Sequence, residues 1–441
     1  MTGPPNTLVA ESPPVQIAFR LDLDDGREEA TLHVDGQRVV LVRGVYSECV
    51  TIKFGLAPGV RVSGLCRFLL RSTRPELELY VTPIQIDPER PAMPVAYPAA
   101  YSIYLAKKQG AFATLGLIED TSALNDGALD DGQFLEQCVQ ADDEREAMFL
   151  DALRRVRRGL CVAVFDGTDR IQHMFWRYLE ADHPARNGSD SAHRNAIEAH
   201  YRRCDDLVGR VVRQCDDGKT LLFVISDHGF KSFRRCVDLN RWLIDEGYMV
   251  VKADASGDKN LVDVDWSQTR AFAIGLAGIY LNVRDREAGG IVEPGAEADA
   301  LRDALCERLT GLKDTNGDVA VNRAYNARKT YHGPYSGDGP DVIVGYSGGY
   351  RVSWDTAVGR VSEVVFTDNT KAWSGDHCID PKLVPGVMFC NRRVRSDGPR
   401  LMDIGPTAME MFGVAVPASM DGRPMAVADG EGRFREQVAA A

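Results

Sequence analysis

Acid and imidazole side chains stand at three places in this chain where they can act together. In CVAVFDGTDRIQHMFWRY, Cys161 to Tyr178, Asp169 and His173 are four residues apart. On a helix that spacing puts both on one face, roughly 5–6 Å between Cβ atoms, so both can hold one metal ion. Asp227 and His228 follow the apolar run TLLFVI, Thr220 to Ile225. His377 lies in a Gly/Trp-rich loop before GVMFCNR, residues 386–392. Each piece also has an ordinary reading. Asp-x-x-x-His occurs on solvated helix faces, Asp-His can be a strand-end turn, and His377 can be one more loop histidine. Ser226, Asp227 and His228 are not a catalytic triad, because neighbours on an extended strand point to opposite faces.

The elements around these residues are what would bring them together. Cys161 to Phe165, Thr220 to Ile225, PDVIVGY (340–346) and GVMFCNR read as buried strands. Amphipathic helical patterns alternate with them: FLEQCVQADDEREAMFLDALRRVRRG, Ala192 to Cys215, LNRWLIDEGYM, Ala298 to Leu312 and MDIGPTAMEMFGV. The acidic cluster within the first of these reads as a solvated face. The alternation predicts an α/β domain, a largely parallel sheet with helices on both faces. Such a sheet presents its strand ends along one edge, where open α/β folds build their sites, so the three features can converge there. Mixed carboxylate and imidazole donors suit Zn²⁺ in a hydrolytic site, with Mn²⁺ or Fe²⁺ as alternatives. Two such ions about 3.5–4 Å apart would clamp the attacking and leaving oxygens of a phosphoryl transfer.

Upstream the chain has a different character. Residues 1–14 are Pro-rich and read as disordered or a linker. Residues 15–88 hold short β-branched runs split by Asp24-Asp25-Gly26, Asp35-Gly36 and Pro58-Gly59, which predict an antiparallel β module. The α/β domain then spans 89–427, and 428–441 is a tail. His33 reads as structural or surface, and His193 and His200 as surface histidines beside an arginine-rich stripe. Tyr331, His332 and Tyr335 are candidates to line a pocket.

The motifs FDGTDRIQHMFWRY, VISDHGF, YHGPYSGDGPDVIVGY, SGDHCIDPKLVPGVMF and DIGPTAMEMFGVAVPASMDG resemble the alkaline phosphatase superfamily, in its type I phosphodiesterase/nucleotide pyrophosphatase group. The similarity runs from roughly residue 95 to 425. It implies a two-metal phosphoric ester hydrolase. One ion would be held by Asp169, His173 and His377. The other would take Asp227 and His228, together with an early Asp and a nucleophilic Thr or Ser that attacks phosphorus before water hydrolyses the phospho-enzyme. Nothing before residue 95 resembles that early strand–Asp–Gly–helix unit. Neither Thr168 nor Ser226 is expected to replace the nucleophile, because the group places it on a different helix. The resemblance therefore implies an incomplete second metal site, and a fragment or a chain that needs a separate N-terminal polypeptide. A non-catalytic metal-binding or interaction module is the alternative, and a phosphomutase or sulfatase relative a weaker one.

Composition limits the partners. The 441 residues carry a formal charge of −12 with 44% apolar and 26% charged residues. An acidic globular protein is a poor general binder of nucleic-acid polymers or anionic membranes, whereas a small phosphorylated substrate stays compatible once divalent metals reverse the local field. No basic segment followed by an apolar run opens the chain, and no window approaches a membrane span. Ten scattered cysteines without a C-x-x-C pair predict free thiols in a reducing cytoplasm.

Overall fold

A computed structural model describes residues 1–6, 13–116, 118–186, 192–253 and 259–429. The chain divides into two compact units, Met1–Ile171 and Gln172–Ala441. Parts of the predicted linker (7–12), of the 180–192 loop (187–191) and of the tail (430–441) lie outside the described residues.

In the first unit the predicted β module forms, with antiparallel pairing throughout. Phe19–Asp24, Glu29–Val34 and Gln37–Val42 make one sheet. Asp35 and Gly36 both have positive φ, 46° and 73°, which is the turn that matches strand twist in a two-residue hairpin. Alternation does the rest. Ala30, Leu32 and Val34 face inward, where they meet Ile52, Phe54, Phe68 and Leu70 from Val50–Ala57 and Phe68–Ser72. The long helix Asp131–Arg155 starts at a capping box in which Asp130 and Gln133 satisfy each other's backbone N–H groups. The sequence predicts a solvated acidic face on this helix, and the structure corrects it: Asp142, within the cluster, and Asp151 are buried. Asp151 accepts from Lys108, Arg155 and Tyr104, so its charge is paired rather than hydrated.

The second unit is α/β, yet its sheets are not largely parallel. Ala271–Ile274, Gly278–Leu281, Val342–Tyr346 and Val321–Asn326 pair in that order, all antiparallel, and the apolar face of helix Ala296–Leu309 packs on them. The first two strands are joined by residues 275–277, too short for a parallel crossover, which needs a dozen or more residues. In the second sheet Gly349–Val352 runs parallel to Lys231–Val237, while Phe366–Asp368 and Gly375–Asp376 pair with it antiparallel. That is the one parallel strand pairing among the described residues.

Two expected core strands are not core. Cys161 to Phe165 enters no strand pairing among the described residues, and Val162 and Val164 are 72% and 74% exposed. Phe223–Ile225 pairs only with Met388–Cys390, and Phe389 is 64% exposed. An apolar run becomes an interior strand only when neighbours complete its backbone ladder.

Helix Ala196–Cys215 corrects one histidine. His200 faces inward and is buried, where desolvation, aided by the Arg203 cation, pushes its imidazole down to about 4. The folded protein then binds fewer protons than the unfolded chain between about pH 4 and the ordinary 6.5, so this group's contribution to stability falls as pH drops through that window. His200→Gln should remove about 2 to 3 kcal/mol of the stability lost between pH 7 and 4.5. Urea unfolding of both proteins at the two pH values measures the difference; equal losses would rule the coupling out.

Candidate metal centre

The helix Gly167–Phe175 carries Asp169 and His173. Ile171, Met174 and Phe175 are buried, which fixes its rotation and turns the acid and the imidazole to a common face. The boundary between the compact units falls inside this helix, so the spacing of the pair belongs to one continuous element. Asp169 is partly exposed, with Arg170 Nη1 at 2.5 Å from its carboxylate. Arg170 in turn lies near Glu119, whose buried carboxylate also meets Arg145 at 3.3 Å.

His173 is 2% exposed. Its Nδ1 donates to the carbonyl of Gly375 at 2.7 Å. A carbonyl only accepts, so Nδ1 carries the proton and Nε2 of the neutral ring keeps its lone pair. That is the usual orientation of a metal-ligating histidine. The same segment grips the helix twice more, by Ser374 N–H to His173 O at 2.7 Å and Arg177 N–H to Ser374 Oγ at 3.0 Å. The approach is backbone to backbone. A Cβ at Gly375 would lie 2.5 Å from Gln172 O and 3.0 Å from Trp176 Cβ, so glycine is required there.

His377 follows two residues later. Its ring centroid is 5.1 Å from that of His173, and Trp373 covers His173 at 3.8 Å. Asp169 stands four residues before His173 on the same helix. One carboxylate and two imidazoles fit a zinc ion and leave a coordination position open, the pattern of catalytic rather than structural zinc.

A second group, Asp376, His377 and Cys378, has donor atoms within 4.8 Å of one another, but Asp376 is already committed. Its Oδ1 accepts from the N–H groups of His377 and Cys378, both at 2.8 Å, and its Oδ2 from Trp373 Nε1 at 2.7 Å, with Arg351 Nε also at 2.7 Å. Burial alone would raise this carboxyl, yet Arg351 and these donors hold it below the usual carboxylate range. Sequence reasoning singled out Asp376 only as the neighbour of His377, and missed Arg351, Trp373 and Gly375. The Trp-Ser-Gly-Asp-His run was their one local signal.

Asp227 and His228 occupy the end of the Phe223–Ile225 strand. The Asp227 side chain is 67% exposed, and its carboxylate stays near His228, with Nε2 at 3.4 Å. The His228 ring lies flat on His377, centroids 3.6 Å apart and 12° between planes. This pair belongs to neither donor group found among the described residues. Ser226 Oγ accepts from Val387 N–H at 2.9 Å, a structural tie between strands. Tyr331, His332 and Tyr335 are exposed.

The sequence profile of type I phosphodiesterase / nucleotide pyrophosphatase matches residues 114–375. The chain belongs to that family. Type I phosphodiesterases of this kind fall in the alkaline phosphatase superfamily. The match takes in Asp169, His173, Asp227 and His228, ends two residues before His377, and begins after the antiparallel β module. Comparison with curated proteins gives no match.

The close approach at Gly375 is testable. Gly375→Ala should destabilise the protein by about 1–3 kcal/mol through overpacking. Gly339→Ala, where a Cβ meets nothing within 4 Å, should be near neutral. Urea midpoints measure both; equal midpoints would contradict the packing described.

Proposed function

We propose that this chain is the metal-binding portion of a two-metal phosphoric ester hydrolase acting on a small phosphorylated substrate. The His377 ring beside that of His173, with Asp169 four residues before His173 on one helix, carries this reading. These three would hold the first ion, zinc by their donor chemistry, with manganese or iron as alternatives. Asp227 and His228 would contribute to a second ion's site that stays incomplete without a further carboxylate. A bound ion would supply Lewis-acid polarisation of a phosphoryl oxygen. The protein's own part is to orient that chemistry. Asp169 provides the negative charge, the Gly375 carbonyl fixes which nitrogen of His173 faces the site, and Trp373 shields the His173 ring from water.

The nucleophile and the missing carboxylate would come from a separate polypeptide bearing a strand, an Asp-Gly turn and a Thr or Ser. Exposure supports this. In the first unit Leu160, Val162 and Val164 present apolar side chains to solvent, and in the second Ile225, Val387 and Phe389 do the same. These runs have the composition of interior strands and lack the neighbours that would bury them. Ten free cysteines agree with a reducing, cytoplasmic setting. Among the described residues no helix is long and apolar enough to cross a membrane.

A second reading, a metal-binding module without chemistry, draws on the outward Asp227 and on the His228 ring stacked against His377. The two readings part on turnover. The full chain, co-expressed with the polypeptide encoded directly upstream, should hydrolyse p-nitrophenyl phosphodiesters, and chelator or His377→Ala should abolish it. Zinc uptake without hydrolysis in that pairing would favour the module. A panel of mono-, di- and sulfate esters separates the phosphomutase and sulfatase alternatives. Expressed alone, the chain should self-associate; a monodisperse, cooperatively melting monomer by light scattering and calorimetry would count against the missing strand.

A further inference from the structure

We propose that Asp376 is a positioning residue: with Arg351 and Trp373 it sets the backbone that presents His377 to the metal centre. This rests on the reading of His377 as a ligand.

The geometry is specific. Asp376 is 1% exposed and Arg351 4%. Three hydrogen-bond donors surround the carboxylate, two consecutive backbone N–H groups and an indole N–H, and the Arg351 guanidinium pairs with it as an ion. A carboxylate so engaged is a poor ligand for a cation. What the carboxylate does instead is hold the amides of His377 and Cys378 on one oxygen, which dictates the turn from which the His377 side chain projects. The other oxygen is tied to rigid structure. Arg351 belongs to Gly349–Val352, paired in parallel with the Lys231–Val237 strand, and its guanidinium lies over Trp354 at 4.7 Å and Phe233 at 5.2 Å. Asp376 itself pairs with Lys231 of the same strand. The path from sheet to ligand therefore runs Lys231–Val237, Arg351, Asp376, His377, with Arg351 and Asp376 buried. Trp373 joins the second ligand to the same anchor. Its indole N–H reaches Asp376 while its ring covers His173. One buried carboxylate thus coordinates the placement of both imidazoles. Partners of this kind orient ligands, and their loss commonly weakens metal affinity 10–100-fold.

The test uses the full chain and Co²⁺, whose visible spectrum reports ligand geometry. Asp376→Asn should weaken Co²⁺ binding 10- to 100-fold and change its visible band, with far-UV circular dichroism unchanged. Arg351→Lys, which keeps the charge and loses the planar fork, should fall between wild type and Asp376→Asn. Hydrogen exchange in the metal-free protein adds a readout independent of any ion. The amides of His377 and Cys378 should exchange at least 10-fold faster in Asp376→Asn, while the Ala271–Ile274 strand keeps its protection. Unchanged Co²⁺ affinity and unchanged exchange at the two amides would overturn the proposal. Failure of the wild-type chain to take up Co²⁺ would instead overturn the ligand reading, and the exchange measurement would still decide whether Asp376 holds the loop. Should Asp376→Asn not fold, the Arg351→Lys protein carries both measurements.

Discussion

A backbone carbonyl, that of Gly375, receives the Nδ1 proton of a buried histidine, and much of the site depends on that contact. It decides which nitrogen of His173 is left for a ligand, and it brings a loop from late in the chain against a helix more than 200 residues earlier. The contact exists only because residue 375 has no side chain. A Cβ there would strike the helix backbone at Gln172. Ser374, on one side, ties the same helix by two further hydrogen bonds, and Asp376, on the other, ties the loop to the Lys231–Val237 strand. Three consecutive residues thus do three different jobs: one grips the helix, one allows the approach, and one anchors the turn from which His377 projects.

Buried charge is handled consistently in this protein. Asp376 faces Arg351, Asp151 faces Lys108 and Arg155, and Asp341 faces Arg286 and Arg302. Asp314, in a turn whose acidic spacing imitates a calcium loop, instead takes both arms of Arg235, at 2.7 and 2.9 Å. Each of these four carboxylates is given a guanidinium or an ammonium, because an unpaired buried charge would cost several kcal/mol, roughly 3–5 for a broken pair; buried Asp238 and Asp380 instead accept from hydroxyl, amide and backbone donors. Asp169 is less enclosed than these, and stands four residues before His173 on one helix. That difference in burial separates the acid suited to a cation from the acids that hold the fold.

The β module and the later apolar runs differ in how fully they find partners. In the β module, inward residues such as Leu32 and Ile52 are 0% exposed, since every hairpin supplies its own neighbour. Val162, Val164 and Phe389 come from runs of the same composition and remain open to solvent. Hairpin pairing is local and completes itself. An interior strand needs flanking strands from distant sequence, and no described segment takes that place.

The local chemistry was legible in the sequence. The four-residue spacing of Asp169 and His173, the Asp-Gly hairpin turn at 35–36 and the alternation that buries Ala30, Leu32 and Val34 follow from helical and strand periodicity, which neighbours cannot change. Family membership was also readable, because its motifs are contiguous. What the tertiary structure alone decided is long-range. It sends Asp227 outward, buries His200, pairs most strands antiparallel and leaves Cys161 to Phe165 without a ladder. It also reserves Asp376 for Arg351 rather than for an ion. Periodicity says which face of an element is apolar. Which distant residue meets that face depends on packing and on the pairing of buried polar groups, and neither is written in any short stretch of sequence.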